Sequence, residues 1–530
     1  MTSRSKLDIS LLASAVAVTR FAFRSHFLYD LDSVNFALAI GRFDPRVYQP
    51  HPPGYFLYVC MGWLLETVFH NANLSLVVLS ILASCGIVVM VYWLALDWFG
   101  QKAARFAGVL FLTSPLAWFH GTIALTYSVE TFFSALLGYL CWRIYSGNQK
   151  FIVPTAIVLG LSAGVRPSSL LFLGPLFLFS LRIAAPRRVL AGILALLLTL
   201  TAWFLPMISV SGGWDAYFGA LFSLWRLVPS RNTVFNSSPA TSIARAFTIV
   251  FIYFVMFGAA SIAPLAAKYQ SGPSDLRKKV FTAVWIAPAL CFFTFIFLKF
   301  VNSGYLLLLS AAACIWLGHW SALWYETAEW RRSLKNAVVG VCVAANVFIF
   351  LASPLYCSYR SVRRFEAELQ GVLASLPQIA SPGNTLIVGF DSHFLGYRHA
   401  GYYLPGYTTV EYPQVRLEEG ERIFAMDQRE TRLLAKLPVG SCSQFVLFPL
   451  PHGSRAYMAY LHTVEAKLPR HSFRTVRAGD REFVTGPISD LLALFPGAMP
   501  DPKGVNAVHQ SATPPVNSRA HQAGHACVSF

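Results

Sequence analysis

Two carboxylates, Asp30 and Asp32, stand two residues apart in the run from His26 to Ser33, just beyond the first long apolar stretch of the chain. The same polar insert carries a third carboxylate, Asp44, and closes with His51-Pro52-Pro53-Gly54-Tyr55. A carboxylate beside an acceptor hydroxyl can serve as a general base, and two together offer oxygen ligands to a divalent cation. Either can also cap a helix that begins at Ser33, because acids are favoured at helix starts. At this spacing the two side chains point to opposite faces if the segment is extended and about 200° apart if it is helical. One is therefore expected to do chemistry while the other holds structure. Asp32, next to Ser33, is expected to be the cap and Asp30 the base.

Composition fixes what surrounds these residues. The 530-residue chain is 55% hydrophobic and only 13% charged, well below the roughly 25% charged residues of soluble domains. This is the composition of a polytopic α-helical membrane protein. Its formal charge of +17 then points to basic membrane loops rather than to nucleic acid. Apolar runs at about 9–28, 74–96, 104–119, 122–142, 151–165, 168–183, 189–210, 241–267, 280–298, 304–325 and 336–353 predict about eleven spans. A shorter run, 54–69, contains Glu66 and reads as a juxtamembrane or re-entrant helix. With that segment not crossing, the clusters Arg4/Lys6, Lys102/Arg105, Arg187/Arg188, Arg277/Lys278/Lys279 and Arg331/Arg332/Lys335 fall on one side, which the positive-inside rule makes cytoplasmic. The N-terminus is then cytoplasmic and the acidic loop faces outward.

Past residue 353 charged and apolar residues alternate. Residues 354–487 are expected to form a small α/β domain on the outer side, with helices at 363–376 and 429–437 and strands at 385–390, 444–449 and 481–485. Residues 488–530, rich in Pro, Ala, His and Ser, read as a flexible tail. The transmembrane domain accordingly occupies residues 1–353.

Once this topology is laid down, the polar residues that hydropathy does not account for collect on the outer side. They are Asp30, Asp32, Asp44 and His51, then His120 and Tyr127, then Arg166 before Pro167, then Arg226 and Arg231, and finally Lys299, Asn302 and Tyr305. Ionisable groups at membrane depth are costly and pair or line a watery cavity, so the set reads as a site at the outer membrane surface. His51, Arg166, Arg226, Arg231 and Lys299 would supply cations to a phosphate. Asp44, His120, Tyr127, Asn302 and Tyr305 would contact the rest of a substrate. Glu130, inside an apolar run, reads as a satisfied buried polar group. The chain has neither a glycine-rich phosphate loop of the nucleotide-binding types nor paired Cys/His spacing for zinc.

An acidic outward loop straight after the first span, Pro52-Pro53-Gly54-Tyr55 some twenty residues on, Arg166-Pro167, and a late Lys299/Asn302/Tyr305 edge together resemble the GT-C membrane glycosyltransferases. The nearest likeness is to the family 39-like branch of protein O-mannosyltransferases and aminoarabinose transferases, over about residues 8–353. The resemblance implies a sugar donor carried on polyprenyl phosphate and a glycan, lipid or protein acceptor. It also implies a reaction on the outer face of a bacterial plasma membrane, with Asp30 or Asp32 at the reaction centre. Many relatives have an Asp-Glu pair and a Lys before the two prolines; here these are Asp-Leu-Asp and His51, a side chain that titrates near neutrality.

A multi-span transporter or lipid flippase is the competing class. Transporters of many families carry internal repeats and midplane sites. This chain has no repeat between its halves, and its polar residues cluster toward one surface.

Overall fold

A computed structural model describes residues 2–227, 240, 243–244, 247, 273–296, 303–353, 357–390, 392–412, 423–434, 436–449, 474–479 and 481–494. Two compact units divide the chain, one of Met1–Leu28 with Ala39–Arg363, the other of Tyr29–Leu38 with Arg364–Phe530.

The first unit is helical. In chain order it holds α1 (Ser3–Ala22), the end of α2 (Leu31–Gly41), α3 (Phe56–Phe69), α4 (Ala72–Phe99), α5 (Gln101–Thr113), α6 (Pro115–His120) and α7 (Tyr127–Tyr145). It continues with α8 (Ile152–Val165), α9 (Ser168–Ser180), α10 (Pro186–Val210), α11 (Trp214–Leu227) and α12 (Pro273–Cys291). A 3-10 turn (Ser303–Leu309) then leads into α13 (Ser310–Thr327), α14 (Arg332–Ala352) and the start of α15 (Tyr359–Ser375). Among the described residues five helices are long and apolar enough to cross a membrane: Ala72–Phe99, Pro186–Val210, Leu276–Ile296, Ser303–Thr327 and Arg332–Ala352.

Several of the other expected spans are shorter for visible reasons. The run 104–119 is cut into α5 and α6, because Pro115 has no N–H to continue the first helix and the Ser114 side chain caps the second. The runs 151–165 and 168–183 yield helices of 14 and 13 residues separated by Arg166-Pro167, against the roughly 20 needed to span upright. The run 54–69 is a discrete 14-residue helix, α3, and 241–267 lies almost wholly outside the described residues.

The break at Pro115 frees backbone carbonyls, and a cation takes them. Arg20 of α1 is fully buried and donates from Nη1 to Leu112 O at 2.8 Å and from Nη2 to Phe111 O at 3.4 Å. Its guanidinium lies 5.0 Å from the Trp118 ring centroid. Helix ends buried in apolar surroundings need such partners.

The second unit carries the expected C-terminal sheet, joined by Tyr29–Leu38. Strands β1 (Thr385–Gly389), β2 (Thr408–Glu411), β3 (Ile423–Asp427), β4 (Glu430–Leu434), β5 (Gln444–Leu447), β6 (Arg474–Ala478) and β7 (Arg481–Pro487) form one sheet in the order β4-β3-β2-β1-β5-β7-β6. β2, β1 and β5 run parallel and the outer pairs antiparallel. Its core includes Leu386 and Val388 of β1, Val410 of β2, and Phe445 and Leu447 of β5, which share one sheet face, with Leu437 packed on them.

Two local expectations are corrected. Residues 429–437 do not form a helix. Gln428 and Arg429 both take positive φ, 48° and 66°, and Asp427 pairs with Glu430, so a two-residue turn folds β4 back on β3. Residues 488–494, expected to open a flexible tail, form the helix α17 (Ile488–Leu494), with Leu491 buried in this core; α16 (Tyr397–Tyr403) precedes it in the chain.

Phe445 is fully buried in the sheet core, whereas the Glu430 side chain is half exposed at the hairpin. Phe445→Ala should destabilise the C-terminal unit by about 3–5 kcal/mol, and Glu430→Gln by no more than about 0.5 kcal/mol. The urea dependence of protease cleavage within residues 364–494 of the purified chain measures both.

Candidate functional site

Pro167 makes Arg166 the turning point of the first unit. The residue before a proline is driven out of the helical region, and Arg166 is extended, with φ −151° and ψ 108°, between the end of α8 and the start of α9. Its side chain is thereby directed at the N-terminus of α7. Nη1 lies 3.2 Å from Glu130 Oε2 and 3.5 Å from Thr126 Oγ1. Both members of the ion pair are buried, and Glu130 also accepts from Ser169 Oγ at 3.4 Å. Among the described residues Nε and Nη2 of Arg166 make no hydrogen bond, so half of the guanidinium fork remains to receive an anion.

Three tyrosine rings surround that fork, with centroids 4.8 Å (Tyr127), 5.1 Å (Tyr305) and 5.9 Å (Tyr55) from the guanidinium carbon. The cation gains from the ring faces while its edge stays polar. Tyr305 reaches the site because residue 304 is glycine: a Cβ there would lie 2.3–2.6 Å from ring carbons of Tyr127. Tyr55 comes from the Pro-Pro-Gly-Tyr element, and His51 Nε2 is 3.0 Å from its hydroxyl.

That element is held by its own contacts. Gly54 has φ +107°, a region that favours glycine, and a Cβ there would meet Met207 Sδ at 3.0 Å. The Tyr217 hydroxyl donates to Pro53 O at 3.0 Å. Gln49–Pro50 and Pro52–Pro53 are cis.

The structure thus brings together four residues picked out from the sequence, His51, Tyr127, Arg166 and Tyr305, and adds Tyr55, Thr126, Glu130 and Ser169. His120 stands beside them: it is buried, its ring packs edge-on to Tyr127 at 5.2 Å, and Nε2 is 3.3 Å from Ser303 Oγ. Ser303 Oγ lies in turn 2.8 Å from Cys357 Sγ. His120 therefore backs the aromatic wall.

Asp44 is committed elsewhere. Its carboxylate caps the turn Pro45–Val47 and holds Arg46 by two bonds of 2.8 and 2.9 Å, with Arg42 at 3.5 Å. Those bonds raise the Arg46 guanidinium above its ordinary pKa. Asp44 is thus a loop fastener rather than an open substrate contact. Arg226 lies exposed in the last turn of α11. Arg231, Lys299 and Asn302 lie outside the described residues.

Asp30 and Asp32 belong to the second unit, and the cap is not the residue expected. α2 begins at Leu31, not Ser33. Asp30 is the cap: its carbonyl accepts from Val34 N at 3.2 Å and its Oδ1 accepts from Asp32 N at 2.9 Å. It is 2% exposed, whereas Asp32 in the first turn is half-buried. The other oxygen of Asp30 lies 3.8 Å from His393 Nδ1, a neighbour that sequence separation concealed. Among the described residues no group of three or more His, Cys, Asp or Glu is gathered to hold a metal ion.

Removing one partner of a buried ion pair costs about 3–5 kcal/mol, while replacing both by apolar groups is often neutral. Glu130→Leu should therefore lower the thermal midpoint of the detergent-solubilised chain more than the double substitution Glu130→Leu/Arg166→Met. A double variant as unstable as the sum of the two single changes would show that the pair is not coupled.

The family model of the protein O-mannosyl-transferase TMEM260 N-terminal domain matches residues 46–187. Among curated proteins no sequence matches the chain. ArnT from Cupriavidus metallidurans bound to undecaprenyl phosphate is similar in structure over 90% of this chain and 97% of that one, with a TM-score of 0.56 at 12% sequence identity. Its apo state is similar over 92% and 98%, with a TM-score of 0.55 at 12% identity. The apo oligosaccharyltransferase of Archaeoglobus fulgidus is similar over 78% of this chain and 65% of that one, at a TM-score of 0.46 and 13% identity. The chain has the ArnT fold, and its resemblance to the GT-C membrane glycosyltransferases, drawn from the sequence, holds.

Proposed function

We propose that this chain is an integral membrane glycosyltransferase that moves a sugar from a polyprenyl-phosphate donor to an acceptor on the outer side of a bacterial plasma membrane. The observation that carries the reading is the half-open Arg166 fork, walled by Tyr55, Tyr127 and Tyr305, in a chain that shares its fold with a protein solved bound to undecaprenyl phosphate. Arg166 and His51 take the donor phosphate. Arg226, Arg231 and Lys299 add positive charge for it, Tyr127, Tyr305 and Asn302 line the sugar or the lipid neck, and His120 supports Tyr127 from behind.

A first-loop carboxylate is the base. Since Asp30 is buried as a cap, the base is Asp32, which keeps access to water. The acceptor hydroxyl or amine gives its proton to Asp32 and attacks the anomeric carbon. The bond from that carbon to the phosphate oxygen breaks on the opposite face, and the phosphate leaves with the electron pair, so the centre inverts. The leaving charge falls on preorganised cations, the form of help that often dominates catalysis. Hydrolysis of a nucleotide has no part in this balance.

Purified protein supplied with a panel of polyprenyl-phosphate sugars should release polyprenyl phosphate. Asp32→Asn keeps the shape and removes the base, so it should lose about 10²- to 10⁴-fold in turnover. Asp30→Asn should lose far less, because Asn caps nearly as well as Asp. No release from any donor would sink the reading, and an Asp32→Asn variant with full turnover would sink the base.

The orientation, with a cytoplasmic N-terminus and the C-terminal domain outside, makes a separate prediction. Ser146 and Ser381 are both exposed. In intact cells, with native exposed thiols removed, Ser381→Cys should react with a membrane-impermeant thiol reagent and Ser146→Cys should not. The opposite pattern would invert the topology.

A further inference from the structure

In the C-terminal unit the chain leaves β1 to form β2 on one side and returns as β5 on the other, all three strands parallel. Open α/β sheets hold a crevice beyond the C-terminal strand ends where the order changes direction in this way, and ligands are bound there. The loop that follows β1 is built tightly. Tyr397 N donates to Phe390 O at 2.9 Å, and Ser392 Oγ donates to Phe394 O at 2.6 Å. Leu395 takes φ +49°, and a Cβ on Gly396 would lie 2.6 Å from Phe390 O. A leucine in the left-handed region is rare, and such strain collects at functional sites.

This loop carries His393. Its carbonyl accepts from Leu31 N, the first amide of α2, at 2.9 Å. Its Nδ1 is 3.8 Å from Asp30 Oδ2, too long for a direct hydrogen bond and the right span for an ion pair or one bridging water. Asp30 holds the Asp32 amide through its other oxygen. Tyr29 packs between Phe365 and Phe394, with ring centroids 5.1 Å from each. A chain of contacts therefore runs from the end of β1 through His393 and Asp30 to Asp32.

We infer that His393 is a positioning residue for the transfer reaction, fixing from the C-terminal sheet the start of α2 and so the direction in which Asp32 presents its carboxylate. The inference rests on the function proposed above. The main-chain bond to Leu31 survives substitution, and the ring contact to Asp30 does not. His393→Asn, whose side chain keeps a polar atom near the place of Nδ1, preserves most of it.

Two readouts on the full chain test this. In hydrogen exchange, residues 29–38 should exchange faster in His393→Ala than in the wild type and return toward it in His393→Asn, with Glu430→Gln as an unchanged control. In turnover, His393→Ala should lower kcat about ten- to a hundredfold, as small misplacements do, with the KM for the polyprenyl-phosphate donor unchanged and kcat largely recovered in His393→Asn. Wild-type exchange in His393→Ala, an unchanged kcat, or a loss confined to KM would each overturn the inference. A wild-type chain that transfers no sugar from any donor fails the proposed function instead, and the exchange result then decides the anchoring by itself.

Discussion

At the junction of α8 and α9 a guanidinium withdrawn from water meets a counter-charge, and the polar contacts around Arg166 follow from that pairing. Glu130 at 3.2 Å supplies it from the first turn of α7, a helix position that favours a carboxylate. The pair joins α7 to the junction of α8 and α9, and Ser169 adds a bond from α9. Because Glu130 engages one side of the fork, the other side, rimmed by Tyr55, Tyr127 and Tyr305, makes no hydrogen bond among the described residues. A buried pair of this kind contributes little net stability. What it supplies is a cation fixed in direction.

The residues legible in the sequence were those whose local chemistry is unambiguous. Arg166-Pro167 announces a helix break with a charge on it, and Pro52-Pro53-Gly54-Tyr55 announces a rigid loop. Glu130 in an apolar run had to be satisfied by something, and it is. Tyr55 lay inside a recognised motif but only tertiary packing turns its ring toward Arg166. His393 is separated from Asp30 by most of the chain, and no periodicity links them. The cap was assigned to Asp32 rather than Asp30 because helix starts are uncertain by a residue or two, and a shift from Ser33 to Leu31 exchanges it.

Secondary structure failed where backbone conformation outranked side-chain pattern. Residues 429–437 have a helical rhythm, yet the left-handed Gln428 and Arg429 turn the chain and make Glu430–Leu434 an edge strand. Span counting met a similar limit at Pro115 and Arg166-Pro167, where apolar runs continue in sequence while the helices stop. The sheet domain was legible as a class, but its seven-stranded order depends on long-range pairing that alternation does not encode.

Arg20 has a consequence for biogenesis. Its acceptors, the carbonyls of Phe111 and Leu112, are synthesised some 90 residues after it. Buried in the last turn of α1, the guanidinium has these partners only once α5 has been made and has ended ahead of Pro115. The end of the first helix is therefore fixed only when the fifth arrives, and the break at Pro115 acts as the latch between them.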